Sequence, residues 1–269
     1  MPSFHFRDNG FVHLCGHRGQ SLSQPENTLE AFREGHALGG TSMEIDTVLT
    51  ADGEIVVMHD MLVDRTTNGS GAVADLTLAD IRTLDAGAWF GPDYAGIRIP
   101  TLAETIALAH ELDLLLEIEI KEKRNIGGYL EALAGTLAAD DLGRVMMISF
   151  DHWSLKQAKA RIPGLLTGGI VHERFADPVA VAGMSDLDEL CIDLDVFDPA
   201  DAQALHAAGR SIRCHAYRPS ALEKARRAGL DWEDRLAGWL RDGLIDTLSG
   251  DDIGWLRNYC AAAGVRLAR

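Results

Sequence analysis

The alternation of short apolar runs with helical patterns predicts an α/β chain that closes into a (β/α)8 barrel. About eight strand-like apolar runs recur along the 269 residues, and most are followed by a segment with helical periodicity. Such alternation predicts a parallel sheet, and eight strand–helix units in about 250 residues match the size of a closed barrel. An open doubly wound sheet is the alternative, which is disfavoured because no Gly-x-Gly-x-x-Gly turn follows the first strand.

Each strand is predicted where a short apolar run stands alone, and each helix where apolar residues recur on one face. The first helix illustrates the pattern, with Leu29, Phe32, Ala37 and Leu38 spaced along a polar segment. In chain order, the predicted strands are residues 11–15, 41–49, 114–120, 145–149, 165–170, 190–194, 211–216 and 244–248, and the predicted helices are residues 28–38, 101–112, 128–138, 153–160, 199–208, 220–240 and 253–263.

One long connection interrupts the alternation between His59 and Pro100. It contains Asn68-Gly69-Ser70-Gly71 and Gly91-Pro92, which are typical of turns. Connections this long are uncommon unless they are functional. We therefore predict a single domain over residues 1–269, in which residues 60–100 form a small subdomain inserted between the second strand and the second helix, over one end of the barrel.

Composition and charge restrict the possible partners. The formal net charge of −16 and a pI of about 4.9 disfavour nucleic acid and anionic membranes. No apolar run is long enough for a transmembrane segment, and the first residues do not resemble a signal peptide. The four cysteines are scattered without Cys-x-x-Cys spacing and are predicted to be reduced, mostly buried thiols. These observations predict a cytoplasmic protein.

Two strands carry charged residues at alternate positions. Glu44 and Asp46 lie two apart in the second strand, and Glu117, Glu119 and Lys121 do the same in the third. Alternate residues of a strand point to one face of the sheet. Charged groups between apolar neighbours are unfavourable in a core unless they are paired or bound to a metal, so an inward, functional orientation is predicted.

The chemistry of these residues predicts phosphodiester cleavage. Glu44, Asp46 and Glu119 offer hard oxygen ligands that suit one divalent metal, Mg²⁺ or Ca²⁺. Arg18 can hold phosphate oxygens with its planar fork, and Lys121 adds a point charge. His17 and His59 could form an acid–base pair, because histidine is the common proton carrier near neutral pH. The prediction depends on their joint occurrence, because each motif alone is commonly a solvated surface feature. The five short motifs are Gly16-His17-Arg18-Gly19, Pro25-Glu26-Asn27-Thr28, Glu44-Ile45-Asp46, His59-Asp60 and Glu117-Ile118-Glu119-Ile120-Lys121.

This ordered set of motifs resembles the glycerophosphodiester phosphodiesterase family, nearly continuously from Leu14 to Lys121. The resemblance implies a catalytic TIM barrel with a small insertion and a small-molecule glycerophosphodiester substrate. It implies a metal at Glu44, Asp46 and Glu119, an acid–base pair of His17 and His59, and phosphate contacts from Arg18 and Lys121. It also implies attack of a neighbouring glycerol hydroxyl on phosphorus, giving a cyclic phosphate that water opens. Family-like segments in the insertion are Asp64-Arg65-Thr66-Thr67-Asn68-Gly69-Ser70-Gly71, Leu84-Asp85-Ala86-Gly87-Ala88-Trp89-Phe90 and Ile99-Pro100-Thr101-Leu102.

The chain departs from the family pattern at several positions. Glu117 stands where the family often has Asn, so it is a secondary candidate near the metal or substrate. The segment from His215 through Tyr217 to Arg218 replaces a Trp-Thr-Val-Asn-like stretch. We expect His215 and Arg218 to shape the leaving-group pocket for a polar or anionic head group; the alternative is that Arg218 only pairs with a surface acid.

Two other functions are compatible with the sequence. One is a lysophospholipase D-like or sphingomyelinase D-like activity that stops at the cyclic phosphate. The other is a catalytically silent barrel that binds a phosphodiester. The head group, the choice between Mg²⁺ and Ca²⁺, the order in which the histidines act and the oligomeric state are left open by the sequence.

Overall fold

Eight parallel strands close into a barrel in the computed structural model of the protein, which describes residues 3–268. Each barrel strand pairs with its neighbours in chain order, and pairing of the first strand with both the second and the last completes the circle. The predicted (β/α)8 barrel is confirmed. The barrel strands are β1 (His13–His17), β2 (Ser42–Leu49), β4 (Leu115–Ile120), β5 (Val145–Ser149), β6 (Leu166–Val171), β7 (Glu189–Asp193), β8 (Ser211–His215) and β9 (Thr247–Gly250); the short β3 (Ile55–Val57) lies outside the circle.

Helices follow the barrel strands and begin at polar caps. Thr28, Thr101 and Asp151 each accept a backbone N–H of the following helix through the side-chain oxygen, which satisfies donors that helix ends leave free. The helices are α1 (Phe6–Asn9), α2 (Leu29–Ala37), α3 (Leu78–Ile81), α4 (Leu102–Leu112), α5 (Ile126–Thr136), α6 (His152–Arg161), α7 (Pro178–Ser185), α8 (Pro199–Ala207), α9 (Pro219–Arg227), α10 (Trp232–Arg241) and α11 (Ile253–Ala262).

The barrel interior holds an apolar cluster at one end, beside the buried Glu189, and the charged motif residues at the other. At the amino ends of the strands, Phe4 packs with Leu115, Met146 and Cys191, which closes that end with apolar side chains. The large main core lies around the strands and is built with buried residues from the helices, such as Phe32 of α2. The charged motif residues line a cavity at the carboxyl ends of the strands, where (β/α)8 barrels carry their active sites.

The predicted insertion between the second strand and the second barrel helix is present. β3 pairs antiparallel with β2, and the chain then runs through α3 before α4 begins at Leu102. This connection has its own small cluster of buried residues, including Val56, Val63 and Ile81. It is anchored to the barrel wall, and it brings His59 to the carboxyl end of the strands.

Several predicted elements differ from the structure. The helix predicted over residues 220–240 is two helices, α9 and α10, because Gly229 adopts a left-handed φ of +79° directly after α9. The N–H of Leu230 bonds to the carbonyl of Ala225, a capping pattern that ends the helix although the apolar periodicity continues. The last strand lies at Thr247–Gly250 rather than at residues 244–248. β3 and α7 were not predicted from the sequence.

Replacing Gly229 with alanine is expected to lower the free energy of unfolding by about 1 kcal/mol, because a Cβ is unfavourable at a positive φ. The added methyl group meets no atom within 4 Å, so backbone strain is the only penalty. Gly238→Ala, inside α10 and also open, is the matched control and is expected to stabilise by about 0.5–1 kcal/mol. Chemical denaturation measures the unfolding free energy of both variants. Equal changes in the same direction would contradict the assignment of the helix end to Gly229.

All four cysteines are buried free thiols, as predicted. Within residues 3–268, no helix has both the length and the apolar character needed to cross a bilayer.

Candidate active site

The three carboxylates predicted to bind a metal lie together inside the barrel. The parallel register of β2 and β4 places Asp46 opposite Glu119 and Glu44 opposite Glu117. One oxygen from each of Glu44, Asp46 and Glu119 lies within 4.8 Å of the others, and all three residues are buried. The two-residue spacing and the strand register thus suffice to build the cluster.

Burial and neighbouring charges shift the pKa values of the three carboxylates. Burial, followed by the charge of Asp46, raises the pKa of Glu44 to about 8. Burial, followed by the charges of Glu44 and Asp46, raises the pKa of Glu119 to about 7. Burial also opposes ionisation of Asp46, but Arg18 and Lys121 hold its pKa below the ordinary value. Glu44 Oε1 is buried without a hydrogen bond to any residue in 3–268. Buried carboxylates with an unused oxygen fit a hard divalent cation.

Both predicted histidines are held through Nδ1 by an aspartate. His17, the last residue of β1, places Nδ1 2.7 Å from Asp251 Oδ1 and Nε2 3.9 Å from Glu44 Oε2. His59, which follows β3, places Nδ1 2.6 Å from Asp60 Oδ1. Nδ1 is therefore the engaged nitrogen of both rings, and Nε2 makes no hydrogen bond to any residue in 3–268.

Arg18 and Lys121 flank the carboxylate cluster. Arg18 has a φ of +57°, and its backbone N–H donates to Glu44 Oε2 at 2.9 Å. Its Nε lies 3.2 Å from Asp46 Oδ2. Lys121 Nζ lies 2.6 Å from Glu119 Oε1 and 3.3 Å from Asp46 Oδ1. The two cations therefore offset part of the negative charge and stand beside the place where a metal and an anion would meet.

Glu26, Asn27 and Arg65 support the charged residues of the site through hydrogen bonds. Asn27 donates from Nδ2 to Asp46 Oδ2 at 2.8 Å and thereby orients that carboxylate. Glu26 bonds both Arg18 and Arg65, and Arg65 also bonds Asp60. Glu26 and Asn27 belong to the motif Pro25-Glu26-Asn27-Thr28, which is the sequence signal for both. Arg65 had none beyond the family-like segment that contains it.

Glu117 does not join the carboxylate cluster. Its side chain is fully buried, and its Oε2 lies 2.6 Å from Nε of Arg213. Arg213 also donates to Ser249 Oγ at 2.7 Å. The secondary candidate Glu117 is thus neutralised by a buried arginine beneath the site.

The three candidates on the last strands take different positions. His215 and Tyr217 line the cavity with the catalytic-type residues, and the His215 ring lies 4.9 Å from that of His17. Burial, followed by His17 and Arg213, lowers the pKa of His215 to about 3. Arg218 instead binds Asp251, the partner of His17, and lines a neighbouring depression. Of the expected pair, only His215 lies in the central cavity.

These side chains meet in one open cavity of about 360 Å³ at the carboxyl ends of the strands. Its lining includes side chains that could hold a metal, bind an anion and transfer two protons, the functions that phosphodiester cleavage requires. The cavity is lined by His17, Arg18, Glu44, His59, Glu119, Lys121, Phe150, Ile170, His172, Asp193, Arg213, His215 and Tyr217.

Sequence comparisons agree with this arrangement. Residues 17–244 match the sequence model of the glycerophosphoryl diester phosphodiesterase family. A glycerophosphodiester phosphodiesterase of Caldanaerobacter subterraneus is 46% identical over 167 residues, which cover 61% of this chain and 69% of the relative. A glycerophosphodiester phosphodiesterase of Bacillus subtilis is 33% identical over 186 residues, which cover 64% of this chain and 63% of that protein.

Solved structures share the fold. A phosphodiesterase of Oleispira antarctica in complex with its product sn-glycerol-3-phosphate superposes with a TM-score of 0.79 at 27% identity, covering 94% of this chain and 98% of that one. A glycerophosphodiester phosphodiesterase of Agrobacterium tumefaciens gives 0.72 at 22% identity, covering 90% and 97%, and supports the fold alone. The predicted family is confirmed: the chain belongs to the glycerophosphoryl diester phosphodiesterase family, a family of phosphoric diester hydrolases.

Proposed function

We propose that the protein hydrolyses glycerophosphodiesters to sn-glycerol 3-phosphate and an alcohol in a metal-dependent reaction. The supporting observation is that Glu44, Asp46 and Glu119 share one cavity with two histidines and two cations. The bound product of the Oleispira antarctica structure is the same phosphomonoester. No other described cluster of His, Cys, Asp or Glu has a comparable geometry for holding a metal ion.

Glu44, Asp46 and Glu119 are the residues that would hold the metal. A bound Mg²⁺ or Ca²⁺ would polarise a phosphoryl oxygen and offset charge that develops there. Asn27 orients Asp46, and the backbone N–H of Arg18 orients Glu44, so these carboxylates are positioned before any ligand arrives. The chain supplies oxygen ligands only, which suits hard cations.

His17 and His59 are proposed to move the protons. In the first step a glycerol hydroxyl oxygen bonds to phosphorus as the bond to the leaving alcohol breaks. One imidazole takes the hydroxyl proton at Nε2 and the other gives a proton to the leaving oxygen. Water then opens the cyclic phosphate with the roles reversed. Asp251 and Asp60 hold the two rings in position through Nδ1.

Lys121 and Arg18 are proposed to bind the phosphate. Both approach the carboxylate cluster from the cavity side, and both line the cavity. Ion pairs with Asp46 fix the two cations while keeping them charged. A phosphate would thus find two positive groups within an otherwise acidic protein, whose net charge is −16.

A panel of glycerophosphodiesters tests this function directly. We expect release of sn-glycerol 3-phosphate with Mg²⁺ or Ca²⁺ and its loss with EDTA, restored by adding the metal back. An enzyme-coupled assay for sn-glycerol 3-phosphate measures turnover, and phosphorus NMR detects any cyclic phosphate that accumulates. Undiminished turnover in EDTA would contradict the metal dependence, and no release from any substrate would contradict the proposed substrate class.

A further inference from the structure

The central cavity has two walls of different composition. The first carries the carboxylate cluster, His17, His59 and the two cations. The second is formed where β5 to β8 end. It contains Phe150, Ile170, His172, Asp193, His215 and Tyr217.

Asp193 is the charged group of the second wall that is open to a ligand. It is the last residue of β7, and its side chain is 19% exposed. His172, directly after β6, holds Asp193 Oδ2 through Nδ1 at 2.5 Å. In residues 3–268, no hydrogen bond or ion pair reaches Asp193 Oδ1. An ionised carboxylate only accepts hydrogen bonds, so this oxygen is suited to a ligand that donates one.

A chain of contacts fixes Asp193 relative to the phosphate-binding cation. The ring of His172 lies 4.7 Å from that of Phe150. Phe150 also has Lys121 Nζ 5.9 Å from its ring centroid, a cation–π distance. Because Lys121 forms ion pairs with the carboxylate cluster, these contacts connect Asp193 to that cluster. A site built this way can measure the distance between a phosphate and a donor group attached to it.

We propose that Asp193 determines substrate specificity by accepting hydrogen bonds from a donor group on a substituent of the bound phosphate. His172 is a positioning residue that fixes the carboxylate. This inference rests on the proposed function, because the phosphate must lie at Lys121. The donor can come from the glycerol hydroxyls or from the ammonium of an amino-alcohol head group, and both meet the same oxygen.

Kinetics of Asp193→Asn distinguish the two sources. The substrates are glycerophosphoglycerol, glycerophosphoethanolamine and the p-nitrophenyl ester of propane-1,2-diol 1-phosphate, which keeps the attacking hydroxyl but lacks the terminal glycerol hydroxyl and the ammonium. If glycerol is the donor, kcat/KM falls roughly 10- to 100-fold for both glycerol diesters and is unchanged for the third. If ammonium is the donor, only glycerophosphoethanolamine is affected. An equal fall for all three substrates, or no fall, overturns the proposal.

Matched variants separate recognition from structure. Asp201→Asn removes the same charge at the start of α8, where Asp201 pairs with Arg174 outside the cavity, and is expected to leave all three substrates unaffected. His172→Phe keeps an aromatic ring against Phe150 but removes the bond to Asp193. It is expected to show the pattern of Asp193→Asn, mainly in KM, while His172→Gln restores a donor and recovers part of the loss. Equal losses in the Phe and Gln variants would overturn the positioning role.

Equilibrium binding keeps the inference independent of turnover. Calorimetry in Ca²⁺ compares the affinities for sn-glycerol 3-phosphate, phosphoethanolamine and inorganic phosphate. Wild type is expected to prefer at least one organic phosphate, and Asp193→Asn to abolish that preference while binding inorganic phosphate as before. If no diester is hydrolysed, the proposed function fails, and the affinity for each organic phosphate relative to inorganic phosphate still tests the role of Asp193. No preference in the wild type, or equal weakening of all three ligands, overturns the proposal.

Discussion

Replacing His17 with alanine is expected to reduce kcat for glycerophosphodiesters by about 10²–10⁴-fold. Its Nε2 is the ring atom left free by the bond to Asp251, and it stands at the edge of the carboxylate cluster. The substrate site is unchanged, so KM should change little. His59→Ala is expected to have a comparable effect, because His59 lines the same cavity and is held by Asp60 in the same way.

The leaving group distinguishes acid from base. A p-nitrophenyl ester of sn-glycerol 3-phosphate needs little protonation as its alcohol departs, so the variant lacking the acid should recover on it and the variant lacking the base should not. Asp251→Asn should give a smaller loss than His17→Ala, because the imidazole remains but its orientation weakens. His110→Ala is the control, since His110 also pairs with an aspartate, Asp141, but lies outside the cavity. Losses under 10-fold for both catalytic candidates would contradict the assignment.

The metal-type cluster could be predicted from sequence because local spacing determines it. Glu44 and Asp46 share a face by strand alternation, and pairing of neighbouring strands in a barrel brings Glu119 beside them. The motif residues His17 and Lys121 lie at or just after strand ends, which converge in this fold. These relations need only period, strand order and fold class.

Contacts that support the site depend on distant segments and were not predictable in the same way. Asp251 meets His17 across 234 positions of sequence, after the circle of strands has closed. Asp193 and His172 lie on separate strand ends and carry no recognisable motif. Arg218 was expected at the leaving group, but the loop after β8 turns it toward Asp251. Loop geometry and side-chain direction decide these pairings, and neither follows from apolar periodicity.

Glu44→Gln is expected to remove metal-dependent turnover while stabilising the metal-free protein. The folded-state pKa of Glu44, about 8, lies above the ordinary value of 4.5. The neutral acid is therefore favoured in the fold, and its stabilising contribution is complete below about pH 4.5 and is lost as pH rises towards 8. Glutamine stays neutral and can still accept from the Arg18 N–H. Without metal at pH 8, its unfolding free energy should exceed that of wild type by on the order of 3 kcal/mol.

With metal bound, wild type should be more stable than Glu44→Gln. A cation that binds only the folded state raises Tm by an amount that grows with the logarithm of its affinity, so Ca²⁺ or Mg²⁺ should stabilise wild type more than Glu44→Gln. Thermal unfolding from pH 5 to pH 8, with EDTA or metal, measures both effects. Glu111→Gln, at an exposed surface ion pair with Arg33, controls for the loss of one charge and should follow wild type. If Glu44→Gln were less stable than wild type in EDTA at pH 8, or gained as much from metal, Glu44 would be a structural residue. Wild type is expected to be the less stable protein without metal and the more stable one with metal. Both effects arise from the negative charge of the carboxylate cluster, which is unfavourable when buried alone and attracts the cation.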